Sequence, residues 1–333
     1  MTARARRKNL AVLGAVSVAL VAVPAVLIRF GIIDAYTAQI LTVAGINAIL
    51  ALSVNIISGI TGQLSLGQAG FMAIGAYSCI FLTQSVGLPL PVSVVAGGLV
   101  SAFAGFLTGF PTLKLTGDYL AIVTLGFGEI IRVVLVNLKS VTGGPNGKQF
   151  TTALTAYADL AWVVVIGSLV AVVALLQNFL RSTYGRAILA VREDEIAAAS
   201  SGVDVFRYKM AGFVVAAFTA GIGGALYAPF IGFVKPDISS FNRSVDYLIY
   251  VVLGGMGSVT GSVLAAFVLT YLQEFLRFLS EFRLLFYPVI LILVMLFRPQ
   301  GLLGTREFSF TALAARLARA RGNGRARDAG EGR

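Results

Sequence analysis

The sequence predicts an all-α protein that crosses a membrane about ten times, and three observations carry this prediction. Of its 333 residues, 57% are hydrophobic and only 12% are charged, whereas about 25% of a typical soluble domain is charged. The mean hydropathy is +0.88. The apolar residues also fall into runs close to the length, about 20 residues, that an α-helix needs to span the hydrocarbon core. We therefore divide the chain into bilayer-length segments.

Ten apolar runs are candidates for membrane helices. They are residues 10–28, 36–58, 64–83, 90–110, 118–138, 159–180, 210–233, 245–256, 259–279 and 284–297. The first run is longer than the apolar core of a signal peptide, about 7–15 residues, so we interpret it as a membrane helix. The short, glycine-rich pair around Gly257 is typical of two half-helices or of one bent element.

Positive charge is concentrated in three parts of the chain and predicts its orientation. Residues 1–9 carry four cations and no acid, and residues 299–333 carry seven arginines and three acids, so each end has a net charge of +4. The interior segment 181–209 is also basic. Arginine and lysine are retained on the cytoplasmic side, and ten crossings place all three parts there. We expect a cytoplasmic N-terminus (1–9), a transmembrane domain (10–298) with a cytoplasmic loop at 181–209, and a cytoplasmic tail (299–333).

The composition excludes several functions. The sequence has no histidine and one cysteine, Cys79, which excludes His-based acid–base catalysis, most zinc sites and an intrachain disulfide. Residues 142–149 do not form a nucleotide-binding loop, because Thr142 replaces its first glycine and Gln149 its final Ser or Thr. We expect a protein that is not an enzyme, uses no cofactor or metal and binds no nucleic acid. ATP hydrolysis, if ATP drives transport, is assigned to another chain.

Two sequence patterns bear on how the helices are arranged. Gly105-x-x-x-Gly109 and Gly257-x-x-x-Gly261 have the spacing that lets helix backbones approach closely in lipid. In addition, residues 118–126 and 246–254 both read Asp-Tyr-Leu-x-x-x-x-Leu-Gly. In the predicted topology these two copies enter the membrane from opposite sides, as in an inverted repeat. Chance similarity between glycine- and leucine-rich helices is the alternative.

The loop at 181–209 contains the motif that bears most directly on function. Acids come first, then small residues, then a glycine, and the residues concerned are Arg192, Glu193, Asp194, Glu195, Ala197, Ala198 and Gly202. Acids favour a helix N-terminus and glycine favours a helix end. We therefore predict a short helix with a small-residue face that the cleft of a partner can enclose. A solvated connector helix is the alternative.

This run resembles the coupling loop of ABC importer permeases, the short helix that docks into the ATPase subunit. The motif of that family is Glu-Ala-Ala-x-x-x-Gly; here Ile196 holds the glutamate position and Glu195 precedes it. Further motifs of the same family are matched in order at residues 61–77, 117–132, 142–147, 252–258 and 297–304. Together they resemble the LivM-type permeases of branched-chain amino acid importers.

The resemblance implies a multi-pass permease subunit of an ABC importer in the inner (plasma) membrane, with both termini cytoplasmic. Its implied partners are a second, LivH-type permease subunit, two ATP-binding subunits and an external solute-binding protein that delivers branched-chain or related amino acids. Two alternatives stay open. One is a permease of the same superfamily for urea or amides, sugars or aromatic acids, and the other is an ion-coupled secondary transporter.

Polar residues inside the apolar runs are costly in lipid and are therefore pore candidates. Ser65 and Gln68 lie among glycines in a segment predicted to be broken, where helix ends can offer free backbone groups to a zwitterion. Asn47 and Asn55 lie eight residues apart on roughly the same face. Hydrogen bonds between helices are their expected use.

Two ionisable pairs complete the set of polar candidates. Glu129 and Arg132 are spaced three residues apart, as are Glu274 and Arg277, so the members of each pair can meet on one helix face. Glu129 and Arg132 are pore candidates, and a pair that merely makes burial tolerable is the alternative. Residues 308–320 of the tail are predicted either to form a basic amphipathic helix on anionic membrane lipid or to be disordered.

Overall fold

The computed structural model describes residues 21–115, 117–150 and 158–277, together with six positions between 288 and 301. Residues 21–29 are helical and are labelled α1 as far as they are described. The other helices are α2 (Ala35–Val54), α3 (Gln68–Gln84), α4 (Leu90–Thr112), α5 (Asp118–Asn137), α6 (Lys139–Thr142), α7 (Ala158–Arg181), α8 (Thr183–Glu193), α9 (Glu195–Ser200), α10 (Val205–Ile231), α11 (Phe241–Gly254) and α12 (Val259–Phe275).

Regular structure other than α-helix is short. A π-helical turn (Asn55–Ile60) extends α2, and single 3-10 turns occupy Gly144–Asn146 and Pro236–Ser239. The strands β1 (Lys148–Gln149) and β2 (Phe233–Val234) pair antiparallel. The predicted all-α class is confirmed.

Five of the described helices are long and apolar enough to cross a membrane, judged by length and composition. They are α2 with its π-helical turn, α4, α5, α7 and α10, and they confirm the runs at 36–58, 90–110, 118–138, 159–180 and 210–233. Helices α3, α11 and α12 are shorter, with 17, 14 and 17 residues. Most of the runs 10–28 and 284–297, and all of the tail segment 308–320, lie outside the described residues.

Two helix boundaries differ from the predictions. The run 64–83 does not begin as a helix, because residues 61–67 are irregular and α3 starts at Gln68. Gly62 has a left-handed φ of +71°, which interrupts the helix before it. Around Gly257 the chain forms two separate helices, α11 and α12, so the single bent element is wrong and the two short helices are confirmed.

Glycines bring the helix backbones together around α10, the central helix. Gly105 and Gly109 of α4 both face α10, because a Cβ on Gly105 would overlap Ala217 and one on Gly109 would lie 3.1 Å from Met210 Sδ. The close packing predicted from this spacing is confirmed. Gly257, in contrast, lies in the α11–α12 turn and not in a helix, so its helical spacing to Gly261 is not realised.

The two ends of α10 define the two ends of the bundle. Helices α8 and α9 precede its N-terminus, and β2 follows its C-terminus. With 27 residues, α10 separates these groups by about 40 Å. The two copies of the suspected repeat start differently, since Asp118 begins α5 whereas Asp246 lies inside α11. The inverted repeat stays a prediction.

Candidate solute pathway and coupling segment

The break between the π-helical turn and α3 is held open by specific contacts. We call residues 61–67 the break segment. The Leu66 amide donates to Thr124 Oγ1 at 3.1 Å, and a Cβ placed on Gly67 would lie 2.7 Å from the Thr124 carbonyl oxygen. The α5 backbone therefore lies where a side chain at position 67 would otherwise be, and only glycine allows this approach.

The break segment and the start of α3 bury polar side chains. Gln63, Ser65 and Gln68 are 5%, 2% and 1% exposed. Gln68 Oε1 accepts a hydrogen bond from Ser53 Oγ at 2.8 Å. Among the described residues, Gln68 Nε2, Ser65 Oγ and both amide atoms of Gln63 have no hydrogen-bond partner. Such groups cost free energy when buried and concentrate at functional sites.

Gln63 belongs with these residues although the sequence analysis did not single it out. It is one of two glutamines within six residues, and the same broken, glycine-rich stretch that indicated Gln68 could have indicated it. Its burial was not predicted, because the local pattern does not reveal which distant elements pack on the break segment, such as Arg192 of α8 against Gly62.

Asn47 and Asn55 hold α2 against the last two described helices. Asn47 Nδ2 donates to Thr270 Oγ1 at 3.0 Å. Asn55 Oδ1 accepts from the Gly257 amide at 2.8 Å, and its Nδ2 donates to the Ser258 carbonyl at 3.1 Å. The predicted hydrogen bond between helices is confirmed for Asn47. Asn55 instead binds the turn between α11 and α12, and both ends of its amide are engaged there.

Glu129 and Arg132 form an ion pair on α5 that lies beside Asp237, in the 3-10 turn that follows β2. Arg132 Nε donates to Glu129 Oε2 at 2.7 Å, and Arg132 Nη1 lies 3.7 Å from Asp237. Both side chains are more than one-third exposed in the isolated chain. The predicted intrahelical pair is confirmed, and Glu274 and Arg277 form the second predicted pair at 2.9 Å.

The coupling segment, residues 182–204, contains the predicted short helix at its centre. Asp194 Oδ1 accepts from the amides of Ile196 and Ala197 at 2.8 and 3.0 Å and caps α9. Gly202 follows the helix with φ +81°, the left-handed conformation typical of a helix end. The separate helix α8 in front of it, which includes Arg192 and Glu193, was not predicted.

The remaining acid of the motif has a partner within the chain. Glu195 forms an ion pair with Lys209 of α10, whose side chain is only 8% exposed. Within α9, the side chain of Ala198 is buried, whereas those of Ala197 and Ile196 are exposed, Ile196 to 82%. Thus α9 is fastened to α10 on one face and presents small and apolar side chains on the other.

The structure brings some of the predicted residues together and separates others. Ser65, Gln68 and Asn55 are buried in the core, whereas Glu129 and Arg132 are partly exposed and pair with each other. Long apolar helices and a broken helix with buried polar groups are typical of membrane transport proteins. Comparison with known proteins agrees with this class and places the chain in a family.

The chain belongs to the family of the branched-chain amino acid transport system permease component, whose model matches residues 36–297. It is 40% identical over 294 residues to the high-affinity branched-chain amino acid transport system permease protein LivM of Salmonella typhimurium, an alignment that covers 80% of this chain and 69% of that protein. The LivM protein of Escherichia coli is 39% identical over 296 residues, covering 80% and 70%. The predicted LivM-type resemblance is confirmed.

A more distant relative is the permease protein LivH of Escherichia coli, which is 24% identical over 292 residues, covering 80% of this chain and 94% of LivH. No solved structure matches the chain.

Proposed function

We propose that this chain is the LivM-type permease subunit of an ABC importer and translocates branched-chain amino acids across the inner membrane. The 40% identity to a LivM protein over 80% of the chain carries the proposal. A related family member is named an autoinducer 2 import permease, at 25% identity, so the cargo has to be measured. The test is ATP-dependent uptake of leucine, isoleucine and valine against urea and a sugar. Uptake of only the latter two would contradict the proposal.

The orientation and the partners form part of the same proposal. A second, LivH-type permease, two ATP-binding subunits and an external solute-binding protein would complete the importer, with both termini and residues 181–209 in the cytoplasm. The basic residues of these three parts support this orientation. Cysteine labelling at position 200 from each side of the membrane tests it, and reaction from the outside would contradict it.

Docking of α9 into an ATP-binding subunit is the proposed route of energy transfer. Its free face carries the exposed side chains of Ile196 and Ala197. Its other face is fastened to α10 through Lys209. A movement of α9 would therefore be passed to the bundle.

Ala197→Trp is expected to lower leucine uptake and stimulated ATP hydrolysis together by about tenfold, since a bulky side chain in a buried interface costs about 1–3 kcal/mol. Both rates are measured in the reconstituted importer. Ala171→Trp is the matched control, because Ala171 is an exposed alanine on α7, far along the chain from α9. Unchanged rates in Ala197→Trp would contradict the docking assignment.

The solute pathway is proposed to pass the break segment. Ser65 and Gln68, joined by Gln63, would offer polar groups to the zwitterion when the bundle opens; Asn47, Asn55, Glu129 and Arg132 are secondary candidates. Support comes from the buried, unpartnered atoms of Gln63, Ser65 and Gln68. Buried polar groups without a partner lower the stability of the fold, so a role in binding solute would explain them.

Gln63→Met is expected to stabilise the protein and to impair transport. Removing an unpaired buried amide should raise the free energy of unfolding by about 1–2 kcal/mol, while the polar group is lost from the pathway. Thermal unfolding and leucine uptake are measured on the same preparation. Gln84→Met, at an exposed position where the amide donates to Gln149, is the control. A stabilised variant with parental uptake would argue against the pathway.

A further inference from the structure

Arg192 connects the coupling segment to the bundle. It lies in the last turn of α8, two residues before Asp194, which caps α9. A Cβ placed on Gly62 would lie 3.1 Å from Arg192 Cγ, and one placed on Gly257 would lie 3.0 Å from Arg192 Nη1. The side chain therefore packs on the break segment with its stem and on the α11–α12 turn with its guanidinium group.

The two surfaces that Arg192 contacts are locked to each other. Asn55 of the π-helical turn accepts from the Gly257 amide and donates to the Ser258 carbonyl. Gly59 of the same turn packs directly on Gly257, where any Cβ would overlap the backbone. The π-helical turn and the α11–α12 turn must therefore move as one unit, with the break segment attached to it.

We infer that Arg192 is a positioning residue that passes the movement of α9 to the break segment and to the α11–α12 turn. The inference rests on the proposed docking of α9 into an ATP-binding subunit. Only Asp194 separates α8 from α9, so a shift of α9 displaces Arg192. Because Gly62 and Gly257 lack side chains, Arg192 contacts their main chain directly. The break segment contains Gln63 and Ser65, and Gln68 follows it at the start of α3.

The test uses the complete importer in proteoliposomes, with radiolabelled leucine as the probe. In Arg192→Ala, the leucine imported per ATP hydrolysed is expected to fall by between about twofold and thirtyfold, the range that 0.5–2 kcal/mol of coupling produces. Arg192→Lys keeps the stem over Gly62 but not the guanidinium group, so it should be intermediate. Arg207→Ala, at an exposed arginine of α10 outside the coupling segment that pairs with Asp204, should match the parent.

A second arm detects the contact itself. Gly257→Ala strains the backbone, because Gly257 has φ +89°, and it also presses a methyl group against Arg192 Nη1. The strain is common to both backgrounds, whereas the contact with Nη1 is absent in the Arg192→Ala background. The combined loss should therefore be smaller than the product of the two separate losses. Variants are compared at equal amounts of assembled importer, and Arg192→Gln replaces Arg192→Ala if the latter does not assemble.

Two results would overturn the inference. One is an unchanged ratio of leucine imported to ATP hydrolysed in Arg192→Ala. The other is a loss in the Arg192→Ala, Gly257→Ala double variant that equals the product of the two separate losses. If instead the parent importer takes up leucine without any dependence on ATP, the proposed function is wrong, and the two failures are thereby distinguished.

Discussion

Gly224→Ala is expected to destabilise the protein by about 3 kcal/mol or more, because it forces the backbones of α3 and α10 apart. A Cβ on Gly224 would overlap the Met72 carbonyl group, and one on Gly75 would overlap Gly221 in the same contact. The obstacle in both cases is main chain, which cannot rotate away as a side chain would. The measurement is thermal unfolding of the purified protein, together with its yield of assembled importer.

The control for this prediction is Gly167→Ala on α7. Nothing lies within 4 Å of a Cβ at this helical position, and alanine favours a helix over glycine by up to about 1 kcal/mol. The control should therefore be neutral or slightly stabilising. Equal stability of the Gly224→Ala and Gly167→Ala proteins would show that α3 and α10 do not pack as described.

Glu195→Gln is expected to disconnect α9 from the bundle. Lys209 would keep its buried ammonium group without a carboxylate partner, and breaking a buried ion pair in this way costs about 3–5 kcal/mol. Because Glu195 itself is half exposed, we expect a cost near the lower end of this range, about 3 kcal/mol. This cost lowers the equilibrium population of α9 packed against α10 by about a hundredfold. Hydrogen exchange of the α9 amides and leucine uptake per ATP are the measurements.

Lys209 is buried and Glu195 is half exposed, so removing each charge separately provides a control. Lys209→Met leaves Glu195, which water can solvate, so it should be milder than Glu195→Gln. The double variant, which removes both charges, should recover most of the stability. Arg207→Ala, which breaks an exposed pair with Asp204, should cost no more than about 1 kcal/mol. A Glu195→Gln protein no worse than Arg207→Ala would contradict the prediction.

Much of the fold was predictable from local pattern. The long apolar runs became helices at nearly the predicted limits, as with 90–110 and α4, because hydrocarbon-length apolar stretches satisfy their backbone only as helices. The ends of α9 were also predictable, since Asp194 and Gly202 act on backbone groups within a few residues of themselves. The predicted boundaries were wrong where contact with another helix sets the course of the chain. At the break segment, for example, the Leu66 amide donates to Thr124 of α5.

The candidate site was predictable only in part. Ser65 and Gln68 stood out because polar residues in apolar runs are rare, and the structure added Gln63 to them. The acids of the coupling segment were recognised as a group, but their individual roles were not. Asp194 caps a helix and Glu195 binds Lys209, and nothing in their order along the chain distinguishes the two tasks.

By itself, the sequence determined the class of protein, the positions of its long helices and the location of the short helix α9, because these depend on hydropathy and on neighbours within about one helical turn. Only the tertiary structure decided that Arg192 contacts Gly62 and Gly257, and that Gly224 contacts Met72. Such contacts join residues 65 to 152 positions apart. They are selected by the packing of whole helices, which no local pattern of residues encodes.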